Sequence, residues 1–195
     1  MDCLWLTLAD PDPAINGQLI YSKGLIEAAH QVGASLCIIG LSRPHESQPR
    51  RDQNGLVWRL TALKKRARWQ RLLSNKPEIA LRGYSREAVH VLARSLVEHD
   101  WDAVVFDSIC AGWALDAVLR HRARSSRPPA LVYLAHNHEV TVARRIAGAS
   151  RGLRWPVRRV DAFKVARLER RLVAEADLVT SNTPEDCRTF AAGAD

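Results

Sequence analysis

Short apolar runs alternate with segments of helical spacing along this chain, and that alternation constrains the fold more than any other feature. The runs at 3–9, 36–41, 55–60 and 103–106, the run that begins at Leu131, and 178–180 read as strands. The first is apolar almost throughout, as a strand buried on both faces of a parallel sheet must be. Between them, 19–32, 62–73, 86–98, 112–121, 139–147 and 157–176 read as helices. Pro184 stands at the first position of a last helix, where its fixed φ fits and its missing N–H costs nothing. Strands and helices alternating at these lengths predict a Rossmann-like, three-layer α/β/α domain around a mainly parallel sheet. With 195 residues and no second core or repeat in the pattern, residues 1–195 read as a single domain.

In such a sheet ligands bind at the carboxyl ends of the strands, so polar residues emerging there are the candidates for chemistry. The clearest case is Leu131-Val-Tyr-Leu-Ala-His-Asn-His-Glu139, an apolar strand that ends abruptly in polar groups. An imidazole at that position, His136, can donate to a hydroxyl or phosphate or carry a proton. Asn137 follows it, and Glu139 can orient His136 or cap the next helix. His138 points the other way, toward structure or solvent. Ala103-Val-Val-Phe-Asp-Ser108 ends in the same manner: Asp107 and Ser108 can bind a hydroxyl, or the aspartate can cap the next helix. Leu178-Val-Thr-Ser-Asn-Thr183 presents Ser181 and Thr183, with helix capping the favoured role of Thr183.

The loop after the first strand, Pro11-Asp-Pro-Ala-Ile-Asn-Gly17, leads into a helix N-terminus, where backbone N–H groups can hold an anion. It is not a G-x-G-x-x-G dinucleotide loop, and no G-x-x-x-x-G-K-[ST] sequence occurs. Gly17 can let a phosphate or sugar approach the backbone, with Asn16 assisting through its side chain or an unusual φ; an ordinary turn and helix cap is the alternative. The four cysteines (Cys3, Cys37, Cys110, Cys187) are scattered without metal spacing and read as buried free thiols, so no metal site is expected.

The formal net charge of +8 is concentrated: 50–76 holds nine basic residues against Asp52, and 144–171 holds ten against Asp161 and Glu169. Such clusters attract polyanions or anionic lipid. The basic stretch 63–73, with Trp69, Leu72 and Leu73, suits the plane of an anionic membrane as well as it suits packing on the domain. No helix-turn-helix, zinc or RNA-binding signature accompanies the charge, so nucleic-acid binding is not expected. No apolar run reaches the roughly 18–20 residues of a spanning helix, and no signal peptide is read at the N-terminus. A cytoplasmic protein is expected, with a peripheral place at the inner face of the membrane open to it.

In order and spacing these motifs resemble the N-terminal domain of GT-B glycosyltransferases, the retaining family 4 enzymes in particular. The resemblance rests on the 11–17 loop with the helix Leu25-Ile-x-Ala-Ala-x-x-x-Gly33, on the strand ending in Asp107, and on Tyr133-Leu-Ala-His-Asn-His-Glu139. Its most specific part is the helix Lys164-Val-Ala-Arg-Leu-Glu169 running into Ala176-Asp-Leu-Val-Thr-Ser-Asn-Thr-Pro-Glu-Asp186. It implies one half of a GT-B fold, the acceptor-side half of an enzyme of polysaccharide biosynthesis. That enzyme would move a hexosyl-type sugar from a nucleotide-sugar to a glycan or lipid-linked acceptor. The nucleotide-sugar would be a substrate, and no cofactor is implied. By the resemblance Asn16 and Gly17 meet the donor diphosphate, and His136 meets the donor sugar or reacting centre. Many relatives carry two adjacent glycines where this chain has Asn16 and Gly17. The nucleotide-binding half has no counterpart in these residues, so the chain alone is expected to be inactive. A non-catalytic binding module, or a half-subunit that docks a separate nucleotide-binding partner, is the alternative expectation.

Overall fold

The computed structural model describes residues 1–43, 52, 55–62, 74–152 and 154–192. Its strands are β1 (Asp2–Ala9), β2 (Ser35–Leu41), β3 (Leu56–Thr61), β4 (Ala103–Asp107), β5 (Ala130–Ala135) and β6 (Leu178–Ser181). They form one six-stranded sheet in the order β3-β2-β1-β4-β5-β6, every neighbouring pair parallel. The helices are α1 (Gly17–Gln31), α2 (Glu78–Arg82), α3 (Arg86–Glu98), α4 (Leu115–Arg122), α5 (Glu139–Ala149), α6 (Arg154–Glu175) and α7 (Pro184–Ala192). The chain is a three-layer, Rossmann-like α/β domain.

Alternation along β1 shows why both faces need helices. Leu4 and Leu6 point into one core with Val104, Phe106, Leu131 and Tyr133, closed by Leu92 of α3, Val118 of α4, and Leu168 and Leu172 of α6. Cys3 and Trp5 point into the other with Ile38, Val105 and Leu134, beneath Ile26 of α1. Local chemistry sets the helix ends. The Asn16 side chain accepts from Leu19 N–H at the start of α1, and Ser85 accepts from Ala88 N–H at the start of α3. Gly33, at φ +90°, turns the chain out of α1, a conformation that favours glycine.

Several boundaries differ from the sequence reading. The helix expected at 112–121 begins as a 3-10 turn, Ile109–Ala114, before α4 continues it. All six residues of that turn are buried, so no polar face marks its start. The short helix α2 has too few turns to show a periodicity, and the sequence does not predict it. Cys187 is exposed, which corrects the expectation of four buried thiols; Cys3, Cys37 and Cys110 are buried, and burial pushes their thiols above the ordinary range. The basic stretch 63–73 lies outside the described residues. Among the described residues no helix is long and apolar enough to cross a membrane.

Gly83, just after α2, is fixed by contact rather than by φ. A Cβ there would lie 2.8 Å from the Cys110 carbonyl oxygen and 3.2 Å from the Trp113 ring nitrogen. The backbone of the 3-10 turn cannot yield as a flexible side chain would. Gly83→Ala is therefore expected to cost about 1–3 kcal/mol as overpacking, read as a lower urea midpoint at unchanged m-value.

Candidate functional site

The strand order reverses direction between β1 and β4: β2 and β3 extend the sheet one way, β5 and β6 the other. The crevice at the carboxyl ends of β1 and β4 is where an open α/β sheet of this order binds ligands. Asp107 closes β4 there and is fully buried. One of its carboxylate oxygens accepts from the Trp5 indole N–H of β1 at 3.1 Å, and the other lies 2.6 Å from His136 Nε2, just past β5. Among the described residues no helix N–H donates to Asp107; its carboxylate joins three strands. Ser108 caps the 3-10 turn instead, accepting from Cys110 N–H at 3.2 Å.

This pairing decides the chemistry of His136. A carboxylate can only accept, so Nε2 carries the hydrogen and the neutral ring keeps its lone pair on Nδ1. His136 is 7% exposed, and Nδ1 is buried without a partner among the described residues. The edge of Tyr21 in α1 meets the ring at a centroid distance of 5.2 Å, limiting its rotation. The arrangement is an oriented imidazole with one nitrogen committed and one without a partner among the described residues, as an acid–base or hydrogen-bonding histidine requires.

The first turn of α1 lies over the same edge. Gln18 donates to Ser108 Oγ at 3.3 Å, and Tyr21 reaches His136, so the start of α1 at Asn16 and Gly17 stands beside the Asp107–His136 pair. Gly17 is exposed, and a Cβ there would meet nothing within 4 Å, leaving its backbone open to approach. Asn16 has an ordinary extended φ of −148° and spends its side chain on the cap, which corrects the expectation of an unusual φ. Below the loop, Arg43 donates to the Asp10 and Pro13 carbonyls, each at 3.0 Å. Ser108 has φ +69°, a left-handed conformation that costs a non-glycine residue about 1–3 kcal/mol.

Glu139 neither orients His136 nor holds the N-terminus of α5; its carboxylate accepts from the Asn137 side chain at 3.2 Å, and Asn137 is exposed. The residue that caps α5 is Glu169, reaching from α6. Its carboxylate accepts from Glu139 N–H at 2.9 Å, Val140 N–H at 3.0 Å and the Tyr133 hydroxyl at 3.3 Å. Burial pushes the Tyr133 phenol well above its ordinary range, so it stays a donor. His138 hydrogen-bonds Thr141 at 2.7 Å and stands 3.7 Å from Glu169. Glu169 therefore fixes the segment that carries His136 from its far end. The sequence held a signal for it: Glu169 adjoins the stripe Val165, Leu168 and Leu172 that faces the core. Ser181, at the end of β6, is in register with Ala135, the residue before His136, and its hydroxyl is buried without a partner among the described residues. Thr183 accepts from Asp186 N–H at 3.1 Å and caps α7.

A depression of about 400 Å³ lies at the opposite, amino-terminal edge, among Asp2, Ser35, Arg59, Ser95 and His99. It shares no residue with the switch-point site.

No family model matches the chain, and no curated protein matches it. Among solved structures it is similar to a sucrose-phosphate synthase from Thermosynechococcus elongatus, with a TM-score of 0.66 at 12% sequence identity. The match covers 98% of this chain and 45% of that one, so this chain spans less than half of that protein's length. At this identity the likeness shows a shared fold.

Burial raises the Glu169 carboxyl above its ordinary range, while the Val140 and Glu139 N–H groups and His138 pull it down. A carboxyl raised by folding stabilises fully below its unfolded pKa, near the usual ~4.3, and loses that contribution as pH rises through the folded value. The stability difference between the wild type and Glu169→Gln should therefore shift against the wild type across that interval. At neutral pH the amide introduced by Glu169→Gln accepts through one oxygen only, and we expect a net cost of about 1–2 kcal/mol from the weakened cap. Urea unfolding of both proteins from the acid range up to neutral pH checks both statements.

Proposed function

We propose that this chain is the acceptor-side domain of a glycosyltransferase of the retaining, family 4-like kind. The observation that carries the reading is the buried Asp107–His136 pair beside the open start of α1 at the sheet's switch point. The fold shared with a sucrose-phosphate synthase supports it, as does the resemblance of the chain's motifs to GT-B enzymes. In this reading the nucleotide-binding half of the enzyme lies outside these residues, and the cleft forms between the two.

Each group then has a task its geometry suits. The backbone at Asn16–Gly17 offers N–H groups and a helix dipole to the donor's diphosphate, favouring its departure. His136 presents Nδ1 toward the reacting sugar, where the transition state has oxocarbenium character. As a neutral ring it accepts from a sugar hydroxyl; as imidazolium it donates toward developing negative charge. Asp107 is a positioning residue that keeps Nε2 occupied. The nucleotide-sugar is consumed as substrate, the acceptor is a glycan or lipid-linked molecule, and no cofactor takes part.

The test is transfer from a panel of nucleotide-sugars by the full-length protein that carries this domain. We expect His136→Ala to lower kcat by about a hundredfold, the lower range for loss of a proton-transferring group, with donor KM changed far less. A normal kcat in His136→Ala removes the assignment. Donor binding with no transfer to any acceptor would instead favour a binding module.

A further inference from the structure

We propose that the hairpin of α5 and α6 is a docking surface for an anionic lipid bilayer. The short connection between the two helices makes them antiparallel neighbours, and the Glu139–Glu169 contact fixes their lower ends at the carboxyl edge of the sheet. Trp155 lies fourteen residues before Glu169 in α6, which at 1.5 Å per residue is about 20 Å along the helix axis. The hairpin therefore leads away from the carboxyl edge, with α2 braced against one face of α6 through Glu78, Asp161 and Arg158.

Its surface is amphiphilic. A groove of about 700 Å³ between the helices is lined by Arg144, Arg159, Arg167 and Arg170 together with Trp155 and Phe163, and among the described residues no acidic one lines it. Phe163 is 70% exposed, and Val160, one turn before it on α6, is 54% exposed. Arg159 lies over the Trp155 ring at 4.8 Å. Among the described residues Arg144, Arg167 and Arg170 make no ion pair, whereas Arg158 and Arg171 on the same helix are paired with Glu78 and Asp116. Unpaired guanidinium groups around exposed aromatic and aliphatic side chains fit one kind of partner best. An anionic bilayer places negative headgroups directly above hydrocarbon, so charge and apolar surface are met by one layer. Aromatic side chains prefer that interface. A single-stranded nucleic acid would match the arginines and the rings, but offers no hydrocarbon to Val160.

The surface is distinct from the basic stretch 63–73, and the inference does not depend on the transferase reading. The groove continues toward the carboxyl edge, where Arg144 and Arg170 also border a second hollow with His138 and Glu169.

Flotation of the chain with vesicles tests it. Binding is expected to vesicles of phosphatidylcholine mixed with phosphatidylglycerol, to be absent from pure phosphatidylcholine, and to weaken as salt is raised. Arg144→Glu, Arg167→Glu and Arg170→Glu together should lower the affinity by at least about a hundredfold, given the contribution of each basic residue near an anionic surface. Phe163→Ser should lower it about tenfold with an unchanged thermal melt, which separates docking from folding. Absence of binding to the anionic vesicles overturns the proposal. So does binding that neither variant alters, or loss by these variants of affinity for a single-stranded oligonucleotide while vesicles are ignored.

Discussion

A buried carboxylate holds the working edge of this domain together. Asp107 lies at the end of β4, wholly out of water, and is bonded to Trp5 from β1 and to His136 after β5. A charge in that place is costly unless its oxygens are occupied, and removing one partner of a buried pair commonly costs about 3–5 kcal/mol. The same two bonds that make the burial tolerable also fix which nitrogen of His136 is free. Stability and the presentation of the candidate catalytic group are thus one interaction. The parallel register makes it possible: Phe106 lies opposite Tyr133 and Asp107 opposite Leu134, so the residue two past Leu134 emerges above the aspartate.

A second buried carboxylate repeats the principle one layer away. Glu169 has no guanidinium partner among the described residues; it is held by two backbone N–H groups, a phenol and a nearby histidine. The dipole of α5 points its positive end at this carboxylate, the sign that favours negative charge there. Between Asp107 and Glu169 the segment 136–138 is secured at both ends, while Asn137 in its middle stays exposed. A ligand entering the crevice would meet a backbone already ordered, which lowers the entropic cost of binding.

How far the sequence disclosed this depends on the range of the interaction. Runs such as 3–9 and 86–98 follow from local periodicity, and they appear in the structure as β1 and α3, the latter with the expected bounds. The capping role of Thr183 is likewise local and could be read directly. The helix start at 109–114 could not, because every side chain there is buried and no polar face marks a period. The roles of Asp107 and Glu139 were open in the sequence between ligand, orienting and capping functions. Asp107 turned out to be the partner of His136 across 29 residues, and Glu169 reached 30 residues back to cap α5. Both depend on sheet register and helix placement, which no local spacing encodes. Residue types at the strand ends located the edge; the pairing among them is a property of the fold.

The role given to this edge rests on His136 keeping its hydrogen on Nε2, under Asp107, with Nδ1 free. Nitrogen-15 correlation spectra of the imidazole rings in the chain, assigned through His136→Gln, measure this directly. In the neutral ring a protonated Nε2 and an unprotonated Nδ1 are predicted, with that preference weakened in Asp107→Asn. A ring that carries its hydrogen on Nδ1 in the wild type would contradict the pairing and the chemistry built on it.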